Sequence, residues 1–280
     1  MQVDATSNLH PDKLESQKQW DTDSCGAETA GNEQPGTRAF YRTIREHRYR
    51  VYAPWLDEAM RFESWAGKRV LEIGVGVGSD HYRLASVGCQ MTGLDLSLEH
   101  LRHTLRHLEL EGLKTVPVHG DAESIPFADS SFDLVYSFGV LHHTPDTERA
   151  IAEVFRVLRP GGTALIGLYH RDSLFFWVST VIQNGLLRGR LFRRGRRRLM
   201  SEIEYRRDGA SALPLVKTYS RRQVRRLFGR FNQVAVRAHH VEPSHFSVAR
   251  PIFRRIHRKQ LEEWFGYLGW YVVAEATKAP

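Results

Sequence analysis

The chain has 280 residues, 41% of them hydrophobic, and a formal net charge of +8. That is enough apolar material for one large domain with insertions and too much for a disordered chain. The longest mostly apolar stretch, Leu174–Leu187, is interrupted by Gln183 and Asn184 and is too short and too polar to span a bilayer.

Residues 1–36 are polar and mixed in charge, without an apolar h-region, so a secretory leader is not expected. Cys25 and Cys89 lack disulfide or metal-ligand spacing, and a reducing cytoplasm is the expected setting. Trp20-Asp21, the run Gly36–Tyr41, and Arg48-Tyr49 precede the first strongly patterned segment.

That segment is Val70-Leu71-Glu72-Ile73-Gly74-Val75-Gly76-Val77-Gly78-Ser79-Asp80. It predicts a buried parallel strand turning sharply into a helix, with glycines where the backbone must approach a ligand or take positive φ. The dinucleotide fingerprint G-x-G-x-x-G/A fits Gly74 and Gly76 but meets Ser79 at its third glycine. A pyrophosphate would also be repelled by Glu72.

Cys89–Leu94 predicts a second strand ending at Asp95, and Ser97 an N-cap for a helix to about Glu111. Thr115–Val118 predicts a short third strand, followed by Gly120-Asp121-Ala122-Glu123-Ser124-Ile125-Pro126-Phe127. A fourth strand lies within Ser131–His143 and ends near Phe138, before Leu141-His142-His143. Thr144 and Pro145 read as N-cap and N1 of a helix to Leu158, stopped by Arg159-Pro160-Gly161-Gly162 ahead of a fifth strand, Thr163–Leu168. Ser220–Gln223 is a capping-box pattern opening a helix that ends near Gly229. Phe231–Ala238 and Gly269–Ala276 read as the last two strands.

Taken in order, these motifs resemble the class I S-adenosylmethionine (SAM) methyltransferases over about residues 68–170. The G-D-A-E-x-x-P-F, S-F-D-L-V and L-H-H elements are most similar to the branch typified by ubiquinone/menaquinone biosynthesis methyltransferases (methyltransferase type 11). The resemblance implies an α/β fold: a Rossmann-like seven-stranded sheet with helices on both faces, an inserted lid, and the final strand antiparallel at one side. It divides the chain into a helical cap (1–60), a SAM-binding core (61–170), a basic and aromatic insertion (171–219), and a completion of the sheet (220–280) with a second insertion at 239–262.

The cofactor implied is SAM. Its carboxylate would meet the turn of Gly74, Gly76 and Gly78, and its ammonium Glu72. Asp95, with Leu96 beside it, would take the ribose hydroxyls. Asp121, Ala122 and Glu123 would hold the adenine, and Phe138 would lie beside the methionine moiety. Tyr41 is a candidate lid residue. His142 and His143 are the candidate catalytic bases, with Tyr169 and His170 as further acceptor contacts, and metal-independent chemistry is expected.

The implied activity is methyl transfer to a small molecule, apolar or aromatic in character. Methylation of RNA or protein, a non-catalytic SAM-binding role and, more distantly, an NAD oxidoreductase are the alternatives. Residues 188–230 hold fourteen arginines and one lysine against three acids, a charge of +12, which leaves −4 on the remainder. With the apolar segment Ser173–Val178 ahead of it, this insertion reads as a solvated lid, as peripheral membrane contact through 174–198, or as a surface for an acidic substrate or RNA. No RNA-binding module signature accompanies it, which disfavours nucleic acid.

Overall fold

A computed structural model describes residues 9–22, 24, 26–204 and 213–280; Cys25 lies outside the described residues. In chain order the elements are α1 (Pro11–Thr22), α2 (Arg38–Glu46, continued by a wider helical turn His47–Tyr52), α3 (Leu56–Met60), β1 (Arg69–Ile73), α4 (Ser79–Ser86), β2 (Gln90–Asp95), α5 (Leu98–Leu110), β3 (Thr115–His119), β4 (Phe132–Phe138), α6 (Thr147–Val157) and β5 (Leu158–Tyr169). The wide helix Phe175–Leu187 follows, then α7 (Arg190–Ser201), α8 (Arg221–Leu227), β6 (Gln233–His239), α9 (Arg250–Phe253), α10 (Arg258–Phe265) and β7 (Tyr271–Thr277).

The sheet has seven strands in the order β3-β2-β1-β4-β5-β7-β6. β1 to β5 are mutually parallel, and β7 runs antiparallel to both β5 and β6. The final strand is therefore antiparallel as expected, but interior, and β6 forms the edge. Alternate strand residues serve opposite faces. Leu71, Ile73, Val135, Ile166 and Val272 pack with Ile151 and Val154 of α6 and Val224 and Phe228 of α8. Val70, Leu134, Tyr136 and Val273 pack with Leu56 and Met60 of α3, Leu84 of α4 and Leu108 of α5. Burial on both faces explains why these strands read as continuous apolar runs.

Local signals fare unevenly. Ser97 caps α5 by accepting from His100 N at 3.1 Å, and the Ser220–Gln223 capping box forms at α8. Thr144 does not cap α6: its hydroxyl donates to Leu141 O at 3.0 Å, and Asp146 takes the cap, accepting from Arg149 N at 2.9 Å. Cys89 is buried, and burial pushes its thiol up to about 11. Among the described residues, no helix is long and apolar enough to cross a membrane.

Gly269 stands where the chain enters β7, and a Cβ there would sit 2.1 Å from the His239 carbonyl oxygen. Backbone cannot yield as a flexible side chain can. Gly269→Ala should therefore destabilise the protein by about 1–3 kcal/mol through overpacking. Urea unfolding measures this, and an unchanged midpoint would refute the close β6–β7 approach.

Candidate active site

The C-terminal ends of β1, β2 and β4 open onto a cavity of about 250 Å³, the place where open parallel sheets bind ligands. Its floor is the turn after β1. Gly74 (φ 80°) and Gly76 (φ 55°) hold backbone that L-residues resist, and a Cβ on Gly74 would strike Val140 at 2.2 Å. Gly78 also has positive φ but does not line the cavity, which corrects its expected role. A Cβ there would lie 2.9 Å from Thr104 Oγ1, so this glycine lets α4 approach α5.

Asp95 ends β2 inside the cavity. Its carboxylate accepts from Ser97 N (2.8 Å) and His100 Nδ1 (3.2 Å), with Gly76 N at 3.4 Å. Burial alone would raise its pKa; His100 and the two amides outweigh that and hold it below the usual carboxylate value. Leu96 lines the wall beside it, and its carbonyl accepts from Gln17 Nε2 of α1 at 3.0 Å.

Glu72 also lines the cavity and is 2.8 Å from His81 Nδ1. Burial, with the nearby Asp80 charge, lifts its carboxyl well above the usual range, while burial pushes His81 down to about 3. Asp80 is the counterweight. Arg48 grips it through Nε (2.5 Å) and Nη2, and the hydroxyls of Tyr49 and Tyr136 donate to it at 2.7 Å each. Burial opposes the charge on Asp80, but Arg48 and the two tyrosines prevail and its pKa falls.

At the other end lie Asp121 and Ala122. Asp121 Oδ1 accepts from Glu123 N at 2.9 Å, and Lys13 Nζ of α1 donates to Asp121 Oδ2 (2.6 Å) and Glu123 Oε2 (2.5 Å). Glu123 is thus a tether for α1 and for Asp146 N (2.7 Å) and is not on the cavity wall, contrary to expectation. Trp20, also from α1, sets its edge against His143.

Phe138 lines the cavity and packs on Tyr271 with ring centroids 4.5 Å apart; Tyr52 and Tyr169 extend this aromatic wall. The two histidines part company. His143 is on the wall, donating Nδ1–H to Leu215 O at 2.6 Å. His142 is fully buried behind it, its ring 3.7 Å from that of Tyr169, and does not reach the cavity, so it is not placed as a base toward a ligand. His170 is likewise buried off the wall, with Nδ1 donating to Gly269 O at 2.9 Å.

Sequence reasoning missed Lys13, Arg48, Asp80, Tyr52, Glu204 and Tyr271, all on the wall. Asp80 was visible inside the glycine-turn segment, and Tyr271 inside the last strand. Lys13 and Glu204 carry no local signal.

Residues 71–166 match the family model described as "Methyltransferase domain". Over 102 residues the chain is 43% identical to phthiotriol/phenolphthiotriol dimycocerosates methyltransferase 1 of Mycobacterium ulcerans, covering 36% of this chain and 37% of that one. Over 133 residues it is 34% identical to a sterol 24-C-methyltransferase of Aspergillus fumigatus, covering 46% and 33%. The chain thus spans about a third of the length of these curated relatives. Among solved structures, a SAM-dependent methyltransferase from Methanosarcina mazei aligns with a TM-score of 0.51 at 23% identity, covering 79% of this chain and 97% of that one. One from Mesorhizobium loti aligns at 0.50 and 18%, covering 79% and 96%. Residues 71–166 thus match a methyltransferase domain, and the seven-stranded sheet has the Rossmann-like fold of those SAM-dependent methyltransferase structures.

Tyr41 is not on the cavity wall, which corrects its lid assignment. Its ring stacks on His107 at 4.5 Å, and Tyr82 stacks on His107 at 5.2 Å. Its neighbours Ile44, His47 and Arg48 line the cavity instead. Burial pushes His107 down to about 4, with Arg45 adding to the shift and the Val77 carbonyl opposing it. The unfolded chain, with an ordinary histidine near 6.5, then binds more protons than the native one between about pH 4 and 6.5. Stability is complete above that window and is lost as pH falls through it. His107→Gln should reduce this acid loss by on the order of 2 kcal/mol. Urea unfolding at both ends of the window measures it, and an unchanged slope would refute a neutral, buried His107.

Proposed function

We propose that the protein is an enzyme that transfers a methyl group from SAM to a small apolar acceptor. The observation that carries this is one cavity joining a buried carboxylate beside a glycine turn, Asp95, to a wall of Phe138, Tyr52, Tyr169 and Tyr271. The similarity to a phthiotriol/phenolphthiotriol dimycocerosates methyltransferase and to a sterol 24-C-methyltransferase supports an apolar acceptor.

The residues fit the cofactor. Gly76 has open space where a Cβ would be, so its backbone is free for close approach, and Asp95 keeps a charged carboxylate for hydroxyl donors. Glu72, uncomfortable as an isolated buried anion, suits a cationic neighbour. Asp121 would share its oxygens between the adenine amino group and Lys13. When bound, SAM supplies an electrophilic methyl on a sulfonium. The chain's own task is orientation and exclusion of water, and orientation alone can supply about 7–11 kcal/mol. Helix α1 and the Ile44–Tyr52 segment cover the cavity, and Arg48 locks that segment down. Of the two candidate histidines, His143 is the one positioned to touch the acceptor.

A second reading concerns where the acceptor is met. Trp177, Ile182, Leu186, Leu187 and Phe192 are exposed, the last with Leu187 at 79%, and the exposed Arg193, Arg196, Arg197 and Arg198 lie within the same insertion. Apolar anchors beside guanidinium groups suit an anionic bilayer surface, here the cytoplasmic face. Vesicles of phosphatidylglycerol should pull the protein down more strongly than those of phosphatidylcholine. Leu187→Asp with Phe192→Asp should abolish the difference, and equal sedimentation with both lipids would remove the reading.

Asp95→Ala should raise the SAM dissociation constant at least ~tenfold, the loss of about 1.5 kcal/mol expected for a hydrogen bond to a charged group. Calorimetry checks this, and unchanged affinity would sink the pocket assignment. Labelled methyl from SAM should enter the organic-extractable fraction of a bacterial extract. Label in RNA or protein would overturn the acceptor class, and SAM binding without any transfer would favour a binding protein.

A further inference from the structure

His142 and His143 sit on a short 3-10 turn, Leu141–His143, directly after β4. Glu204 follows the end of α7, far away in sequence, yet its carboxylate comes within 3.9 Å of His143 Nε2. One ligand-type atom from each of the three residues lies within 4.8 Å of the others, and all three residues are buried.

The polar inventory of this cluster does not close on itself. His143 Nδ1 donates to Leu215 O, and among the described residues its Nε2 has no hydrogen-bond partner. Neither ring nitrogen of His142, a fully buried side chain, has one either. Unpartnered buried polar atoms are costly, so three in one place call for a ligand. Lys217 turns its ammonium away onto Pro145 O at 2.6 Å, while its backbone N donates to His142 O at 3.0 Å and braces the turn. A ring nitrogen fixed by a backbone carbonyl, leaving the other to face a cation, is the usual outer-shell support of a metal-bound histidine.

We propose that His142, His143 and Glu204 form a site for a divalent transition-metal ion of the zinc class at the acceptor end of the cavity. Two imidazoles and one carboxylate are a three-ligand set that leaves a fourth position for water or a substrate oxygen. His143 and Glu204 both line the cavity, so that position is supplied from it. Ligand atoms around tetrahedral zinc stand about 3.3 Å apart, so closure requires side-chain movements of roughly an ångström. The acceptor contact assigned to His143 is then made through the cation. This inverts the expectation of metal-independent chemistry, and the site itself does not depend on SAM being the cofactor.

The test uses full-length, untagged protein stripped with chelator and titrated with Co²⁺ alone, without SAM. One equivalent should produce the strong visible absorption of four-coordinate Co²⁺, and Zn²⁺ should abolish it. Glu204→Gln and His143→Gln should each weaken binding at least ~tenfold, whereas His245→Gln, in the separate His240–Glu242–His245 group, should not. If a variant fails to fold, the unmodified protein decides: Zn²⁺ must shift the imidazole nitrogen resonances of His142 and His143. No saturable Co²⁺ band, unchanged affinity in both variants, or resonance shifts confined to other histidines would overturn the site.

Discussion

The cavity depends on one ion pair, between the half-buried Arg48 and the buried Asp80. Arg48 belongs to the segment before the first strand, and Asp80 to the first turn of α4; their bidentate contact is completed by Tyr49 and Tyr136. Such a pair gives up hydration on both sides and is weak evidence for stability in itself, but removing one partner strands the other at a cost of about 3–5 kcal/mol. Its structural effect is positional. It holds Ile44, His47, Arg48 and Tyr52 over the glycine turn, and it puts a second carboxyl near Glu72, whose charge adds to burial in raising the Glu72 pKa. The guanidinium also lies 5.3 Å above the Phe138 ring, so the same side chain ties the acidic end of the cavity to its aromatic end.

Helix α1 adds a second closure from the other side. Lys13 bridges Asp121 and Glu123, Gln17 reaches Leu96 O, and Asp21 accepts from Ser97 Oγ at 2.5 Å. These contacts reach the loops after β2 and β3, where Leu96 and Asp121 line the cavity, so the helix is anchored on the cavity's own wall. Apolar burial contributes little here, since the buried residues of α1 are Lys13, Ser16 and Gln19. A helix held by polar contacts to a binding loop is suited to open and close with that loop's occupancy.

The core was legible because its signals are local. Glu72 and the glycines, Asp95 at a strand end, and the Gly120–Phe127 segment state strand, turn and polarity within a few residues, and all fall where the parallel sheet requires. What failed was side-chain direction. Gly74 and Gly78 obey the same spacing, yet one meets the cavity and the other meets Thr104. His142 and His143 are adjacent, and a single step along a 3-10 turn sends one to the wall and the other into the core. Tyr41 lies on a helix whose other faces reach the cavity. Lys13, Arg48 and Glu204 were invisible because their partners are distant in sequence, and only the assembled sheet brings them together.

Charge is segregated for reasons the geometry makes clear. A cationic cofactor needs acids, and the cavity supplies Glu72, Asp80, Asp95 and Asp121 within low-dielectric walls, with Arg48 and Lys13 already engaged by acids. Residues 188–230 carry +12, and among the described residues the exposed Arg193, Arg196, Arg197 and Arg198 are not on the cavity wall and share the insertion with exposed Leu187 and Phe192. Were the two charge sets interleaved, the arginines would compensate the cavity acids and weaken their hold on a cation, and the acids would cancel any attraction of the insertion to an anionic surface. Segregation lets one chain of net charge +8 present an acidic cavity and a basic insertion, while Phe138, Tyr169 and Tyr271 line the cavity with uncharged side chains.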